Sequence, residues 1–354
     1  MLTLDRRQIG SGDAGFVRIL SREFDKPPNR KVDRRFEIGA IGGRRGSKVP
    51  RRHAPVAPDR VENRRGPLDG PAARIRPLVP VPSLPACSRM HFISGLPRSG
   101  SSLLAAILRQ NPALHAGMSG PLCGIVSSLL RSMGAGNEYA GFLADEQRRR
   151  ITGSVFEAYY AERKGEQIIF DTNREWTAHL SMLAELCPRA KVICCLRSSA
   201  WILDSIERLI QATPFARTRL FPADSGDNVY TRADYTLKKG MLATPLQSLR
   251  QAWYGSEAQR LIGIRYDSLA TQPAEVIARL YVLLDLPPFR HDFENLEFDE
   301  PAFDAQMGVP GLHKVRRRVA PNQRATILPP DIFNQNDRSF WDVPGQNPRG
   351  VIVL

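Results

Sequence analysis

No run of 18 or more apolar residues occurs in this 354-residue chain, so a membrane-spanning helix is not expected. The first residues, Met1-Leu-Thr-Leu-Asp-Arg-Arg7, lack the apolar core of a secretory signal. Their arginines suit an organelle transit segment, but the interspersed acids weigh against one. Cysteine is scarce: Cys87, Cys123, Cys187, Cys194 and Cys195 are the five. None has the C-x-x-C or metal-ligand spacing that would mark a zinc or redox centre. Cys194 and Cys195 sit in an apolar run and read as small core residues, and a reducing cytoplasm fits this usage. There is no internal repeat. Carboxylates are also few, with 36 Asp and Glu against 50 Lys and Arg, for a net charge of +14.

That charge resembles a nucleic-acid binder's until its distribution is examined. Residues 1–89 carry +11 of it, together with 11 of the 28 prolines. Such a segment buries too little apolar surface to offset its chain entropy, and we expect it to be disordered. One reading makes it a basic tail for nucleic acid or an acidic surface. The other, which we favour, is that it is not part of the working protein, because Met90 stands directly before the first convincing strand. The remainder carries only +3, so nucleic-acid binding by the folded part is not expected.

What the chain does contain is a strand, a glycine turn and a helix start in His91-Phe-Ile-Ser-Gly-Leu-Pro-Arg-Ser-Gly-Ser-Ser-Leu-Leu104. The first N–H groups of a helix have no internal partner, and the helix dipole favours an anion there. The spacing approaches G-x-x-x-x-G-K-[ST]. Gly95, Gly100 and Ser102 fall in place, but Ser101 replaces the lysine and Arg98 is the loop's cation.

Further on, Gln167–Asp171, Lys191–Leu196 and Ile262–Tyr266 read as buried strands alternating with helices. Those helices begin near Gly124, Asp145, Thr172, Ala200, Gln247 and Pro273. This order predicts an α/β fold in three layers, with a central, mainly parallel sheet. Right-handed crossovers place Gly95–Ser102, Asp171–Arg174 and Arg197–Ser205 along one edge, at the strands' carboxyl ends, where such sheets bind ligands. His115–Cys123 reads as a connection, and 211–245 as a long loop serving as a lid. We expect a domain over 90–320. The loop-rich extension, 321–354, is expected to pack on it or to be mobile.

Arg197 and Ser205 are eight residues apart. A strand-end guanidinium and a hydroxyl two helical turns on can converge on one phosphate. The best buried strand ends in this cation, whereas a triphosphatase places a metal-binding acid there. Asp171 is the remaining possible metal partner.

These residues resemble sulfotransferases that use 3′-phosphoadenosine-5′-phosphosulfate (PAPS), most nearly the bacterial and tyrosylprotein branch. The loop, Pro97, Arg98, Ser99, Gly100, Ser101 and Ser102, is similar to that family's 5′-phosphosulfate loop. Arg197 and Ser205 match its second motif, which binds the 3′-phosphate. Tyr266-Asp-Ser-Leu resembles a segment whose tyrosine lies at the nucleotide. Gly311–Lys314 falls where the family has a late loop with a lysine. The resemblance covers about residues 90–318. It implies a P-loop-like fold, PAPS as co-substrate, no metal, and a hydroxyl or amine acceptor that attacks sulfur in line. Arg98, the loop N–H groups and Arg174 would stabilise the growing charge.

One departure affects the chemistry. The branch's general base is a glutamate after the first helix, where this chain has Met118 and Ser119. The replacement candidates are Asp171, Glu175, His115 and His313, with Asp171 best placed at a strand end. Two other functions stay open at this point: a small-molecule kinase using ATP and magnesium, and a non-catalytic nucleotide-binding protein.

Overall fold

The computed structural model describes residues 87–354, apart from 164–166, 213–214, 216–217 and 223–227. The chain divides into Met1–Ile75 and Arg76–Leu354. The first unit, and with it the expectation of disorder for the basic arm, lies outside the described residues.

Six strands form one sheet: β1 (Met90–Gly95), β2 (Leu114–Ala116), β3 (Ile168–Thr172), β4 (Val192–Leu196), β5 (Leu261–Arg265) and β6 (Ile352–Val353). Their spatial order is β2-β3-β1-β4-β5-β6, and every pairing is parallel. Eleven helices, numbered in chain order, accompany them among the described residues: α1 (Ser101–Leu108), α2 (Leu122–Ser132), α3 (Asp145–Tyr159), α4 (Leu180–Leu186), α5 (Ser199–Ala212), α6 (Val229–Lys238), α7 (Ala243–Tyr254), α8 (Tyr266–Thr271), α9 (Pro273–Leu283), α10 (Pro301–Gln306) and α11 (Pro330–Asn336). The fold is an open, all-parallel α/β sheet flanked by helices. No described helix is long and apolar enough to cross a membrane.

Strands buried on both faces read as continuous apolar runs, and alternate residues feed opposite cores. Phe92, Ile169, Val192 and Cys194 pack in one core with Val126, Phe156, Trp176 and Trp253. Ile93, Phe170, Ile193 and Cys195 pack in the other with Leu104, Ile107, Ile277 and Leu280. Proline at the first position of α9 sets that helix's start, because its missing N–H has no helical partner there anyway.

Four of these readings are altered or narrowed by the structure. His115 belongs to β2, paired with Ile169 of β3, rather than to a connection. The presumed lid is largely helical from Val229 onward, as α6 and the start of α7. The 321–354 extension is part of the domain: its β6 pairs with β5, and Phe333 of α11 meets Trp201 of α5 with ring centres 5.3 Å apart. Finally, Cys87 is buried and bonded to Cys187, with Cα atoms 4.8 Å apart, so the folded unit reaches back past Met90. Cys123, Cys194 and Cys195 are buried free thiols.

Candidate active site

Parallel strands end together, so the loops after β1, β3, β4 and β5 meet over one edge of the sheet. The turn after β1 is shaped by three residues with positive φ: Gly95 at 99°, Arg98 at 56° and Gly100 at 103°. Gly95 has no alternative. A Cβ there would lie 2.5 Å from the carbonyl oxygen of Cys195 and 2.6 Å from its nitrogen, closer than any side chain tolerates. Gly100 caps α1 without a side-chain hydrogen bond, so the first N–H groups of that helix stay available to a ligand.

The turn borders a cavity of about 260 Å³. Pro97, Arg98, Gly100, Ser101, Ser102, Arg174, Arg197, Ser205, Tyr266 and Lys314 all line it. Seven of its lining side chains are cationic, namely Arg98, Arg174, Arg197, Lys314, Arg316, Arg318 and Arg324, and none of the described lining residues is a carboxylate. Such a chamber focuses positive potential on whatever enters it.

Arg98 ties three segments together. Its Nε donates to Ser205 Oγ at 3.1 Å, and its Nη1 donates to the Leu312 carbonyl. Its own carbonyl accepts from Arg197 Nη1 at 3.2 Å. Burial, with the neighbouring Arg197 charge second, lowers the Arg98 pKa to about 10. Arg197 lies over the Tyr266 ring, 4.2 Å from its centre, a cation–π contact. Its Nε is buried with no hydrogen-bond partner among the described residues. Burial lowers the pKa values of Arg197 and Arg174 as well. Arg174 is fixed through its backbone, whose carbonyl accepts from Ser94 Oγ at 3.1 Å.

Several expected site residues lie elsewhere. Ser99 is buried and spends its hydroxyl on the Leu96 carbonyl, inside the turn. Asp171 does not line the cavity. It is 2% exposed, and its two oxygens accept from Tyr160 Oη at 2.5 Å and Trp176 Nε1 at 2.6 Å. Burial raises its pKa, and those two bonds oppose the rise. Each oxygen of this carboxylate thus already has a donor, which braces the end of β3. Glu175 is exposed outside the cavity. His115 packs edge-on against Tyr160, with ring centres 6.0 Å apart. His313 alone of the four candidates lines the cavity.

The site also contains residues that sequence reasoning missed. Arg324, from the segment before α11, enters the cavity wall and is held by Asp204 of α5. Asp204 is fully buried and also accepts from Arg208 Nε, Thr326 Oγ1 and the Ile327 N–H. Nothing local marks Arg324, because its importance comes from a partner 120 residues away. Asp304, the partner of His313 nine residues on, was also missed.

The strand ends of this open parallel sheet thus converge on a guanidinium-rich cavity with no carboxylate among its described lining residues, a surface suited to an anionic ligand. The model of the sulfotransferase family matches residues 91–291, more than half of the chain, and the chain belongs to that family. Among solved structures it is similar to the sulfotransferase domain of the curacin biosynthetic pathway, at 17% identity, TM-score 0.38, over 57% of this chain and 75% of that one. A sulfotransferase domain from the Synechococcus PCC 7002 olefin synthase gives 17% identity and TM-score 0.37 over 56% and 74% of the two chains. A sulfotransferase from Mycobacterium avium gives 14% and 0.35 over 57% and 64%. A search of curated proteins found no match.

Proposed function

We propose that this sulfotransferase uses PAPS as co-substrate and passes its sulfonate to a hydroxyl or amine acceptor by in-line transfer without a metal. The observation that carries this reading is the cavity lining, with seven cations and no carboxylate among the described residues. A donor bearing phosphates and a sulfonate matches that imbalance.

In this reading the turn N–H groups, with Ser101 and Ser102, receive the 5′-phosphosulfate. Arg197 and Ser205 hold the 3′-phosphate, while Tyr266 and Lys314 contact the nucleotide. The orphaned Arg197 Nε supports the fit, because a buried donor without an acceptor is costly until an anion supplies one. During transfer, negative charge grows on the bridging and equatorial oxygens. Arg98 and Arg174 offer preorganised positive charge there. Guanidinium groups thus take the part that a divalent cation takes in nucleoside-triphosphate chemistry.

The test is a melting experiment with 3′-phosphoadenosine 5′-phosphate, with ATP plus magnesium, and with neither. A ligand at a hundred times its Kd stabilises by about 2.7 kcal/mol, a readily measured rise in Tm. The bisphosphate is expected to produce that rise. A shift with ATP and magnesium alone would identify a kinase instead.

A further inference from the structure

The late loop that carries Lys314 also carries His313, and its surroundings are built differently from those of every other cavity histidine or acid considered above. Asp304 in α10 is fully buried. One of its oxygens accepts the His313 backbone N–H at 2.9 Å, and the other lies 2.6 Å from His313 Nδ1. Of the two tautomers, the one with the proton on Nδ1 lets an accepting carboxylate oxygen pair with the ring. Nε2, at the opposite edge of the ring, then holds the lone pair. It has no hydrogen-bond partner among the described residues, and His313 lines the cavity. Phe303 packs against the imidazole with ring centres 5.3 Å apart, which restricts rotation of the ring.

The loop is also tied to the turn after β1. Arg98 donates to the carbonyl of Leu312, the residue before His313, and the Asp304 charge is close enough to act on Arg98. The imidazole is thereby tied to the turn residue assigned to sulfonate stabilisation. Met118 and Ser119, where the resemblance calls for a glutamate, supply no base, and Asp171 is enclosed by Tyr160 and Trp176.

We propose that His313 Nε2 is the general base of the transfer and that Asp304 is the positioning residue that holds its tautomer. This proposal rests on the PAPS reading above. In the step, the acceptor O–H proton passes to Nε2 as the acceptor oxygen bonds to sulfur. The bond from sulfur to the bridging oxygen breaks, and its electron pair leaves with the 5′-phosphate. The imidazolium so formed is stabilised by Asp304 until its proton is lost to solvent. The logic is that of an oriented histidine–carboxylate pair, built here from the late loop and a short helix.

Two measurements on the full chain test this. The first is release of 3′-phosphoadenosine 5′-phosphate from PAPS with water as acceptor, alongside the Kd of that bisphosphate, for wild type, His313→Gln and Asp304→Asn. Histidine removal is expected to lower kcat by about 10²- to 10⁴-fold with Kd unchanged. Unchanged turnover in His313→Gln, or a Kd that weakens in step with kcat, overturns the base assignment; the latter would make His313 a ligand of the donor. Wild-type protein that does not bind the bisphosphate sinks the PAPS reading and this proposal together. Normal binding with undiminished His313→Gln turnover sinks the proposal alone.

The second measurement is nitrogen-15 NMR of the His313 ring, which is independent of turnover. The proton is expected on Nδ1 in wild type and at least partly on Nε2 in Asp304→Asn. A wild-type ring protonated only on Nε2 overturns the proposal. If Asp304→Asn fails to fold, His313→Gln and the wild-type spectrum still decide it.

Discussion

Asp171, next to last in β3, and Arg197, just past the end of β4, both lie toward the carboxyl ends of the two strands that flank β1. Both are polar groups where open parallel sheets bind ligands. Asp171 is closed off, with each oxygen matched to a donor from Tyr160 or Trp176. Arg197 lines the cavity, leans on the Tyr266 ring and keeps a buried Nε without a partner among the described residues. In the reading proposed above, Asp171 is scaffold and Arg197 is a contact for the donor. Strand-end position alone does not separate the two. Hydrogen-bond accounting does.

The largest expected effect lies between the two strands, at Arg98. Arg98→Ala removes a preorganised donor, worth about 3–4 kcal/mol of barrier, and should cut turnover about a hundredfold or more in a steady-state assay with PAPS. Near-normal turnover would take Arg98 out of the charge-stabilising role.

The contrast itself is tested by a matched pair. Arg197→Ala should weaken binding of 3′-phosphoadenosine 5′-phosphate by about ten- to a hundredfold, the range for a charge-assisted hydrogen bond. Binding of adenosine 5′-phosphate should change little. Asp171→Asn should leave turnover and nucleotide affinity nearly unchanged and lower unfolding stability by about 1–3 kcal/mol, read from urea denaturation. An Asp171→Asn variant that folds normally but has lost turnover would break the comparison.

The smallest effect concerns the opposite end of β1. His91 Nδ1 accepts from the Lys191 N–H at 3.1 Å. Burial, reinforced by the Lys191 and Arg189 charges, lowers the His91 pKa from 6.5 to about 4. The folded state therefore keeps His91 neutral while the unfolded chain takes up a proton below about pH 6.5. Stability from this group is full above that pH and falls as pH drops from about 6.5 to about 4. The loss is on the order of 3 kcal/mol at most. His91→Gln should flatten that part of the stability–pH curve, and an unchanged curve would exclude His91 as its source.

Most of the sheet was legible because β1, β3, β4 and β5 are apolar on both faces and separated by helical periodicity. β2 and β6 were not, because they are three and two residues long and are strands only by virtue of their neighbours. The grouping of several cavity residues was legible for a related reason. Gly95, Arg98, Gly100 and Ser102 lie in one turn, and Arg197 and Ser205 on one strand–helix unit, so local spacing carries their geometry. The enclosure of Asp171 was not legible, because it depends on Tyr160 at the end of α3. Ser99 looked like one more hydroxyl of the loop, but the turn folds it back onto Leu96.

The sequence by itself indicated an α/β order and a glycine turn in which Arg98 is the cation and the usual lysine is missing. These follow from local sterics and periodicity, which act between near neighbours. Tertiary structure alone decided which polar groups are spent and which are free. It joined Cys87 to Cys187, 100 residues apart, drew Arg324 to Asp204, enclosed Asp171, and set Asp304 behind His313. Satisfaction of a buried polar group depends on whichever segment arrives next to it in space, and that is settled only when the sheet and its late loops have assembled.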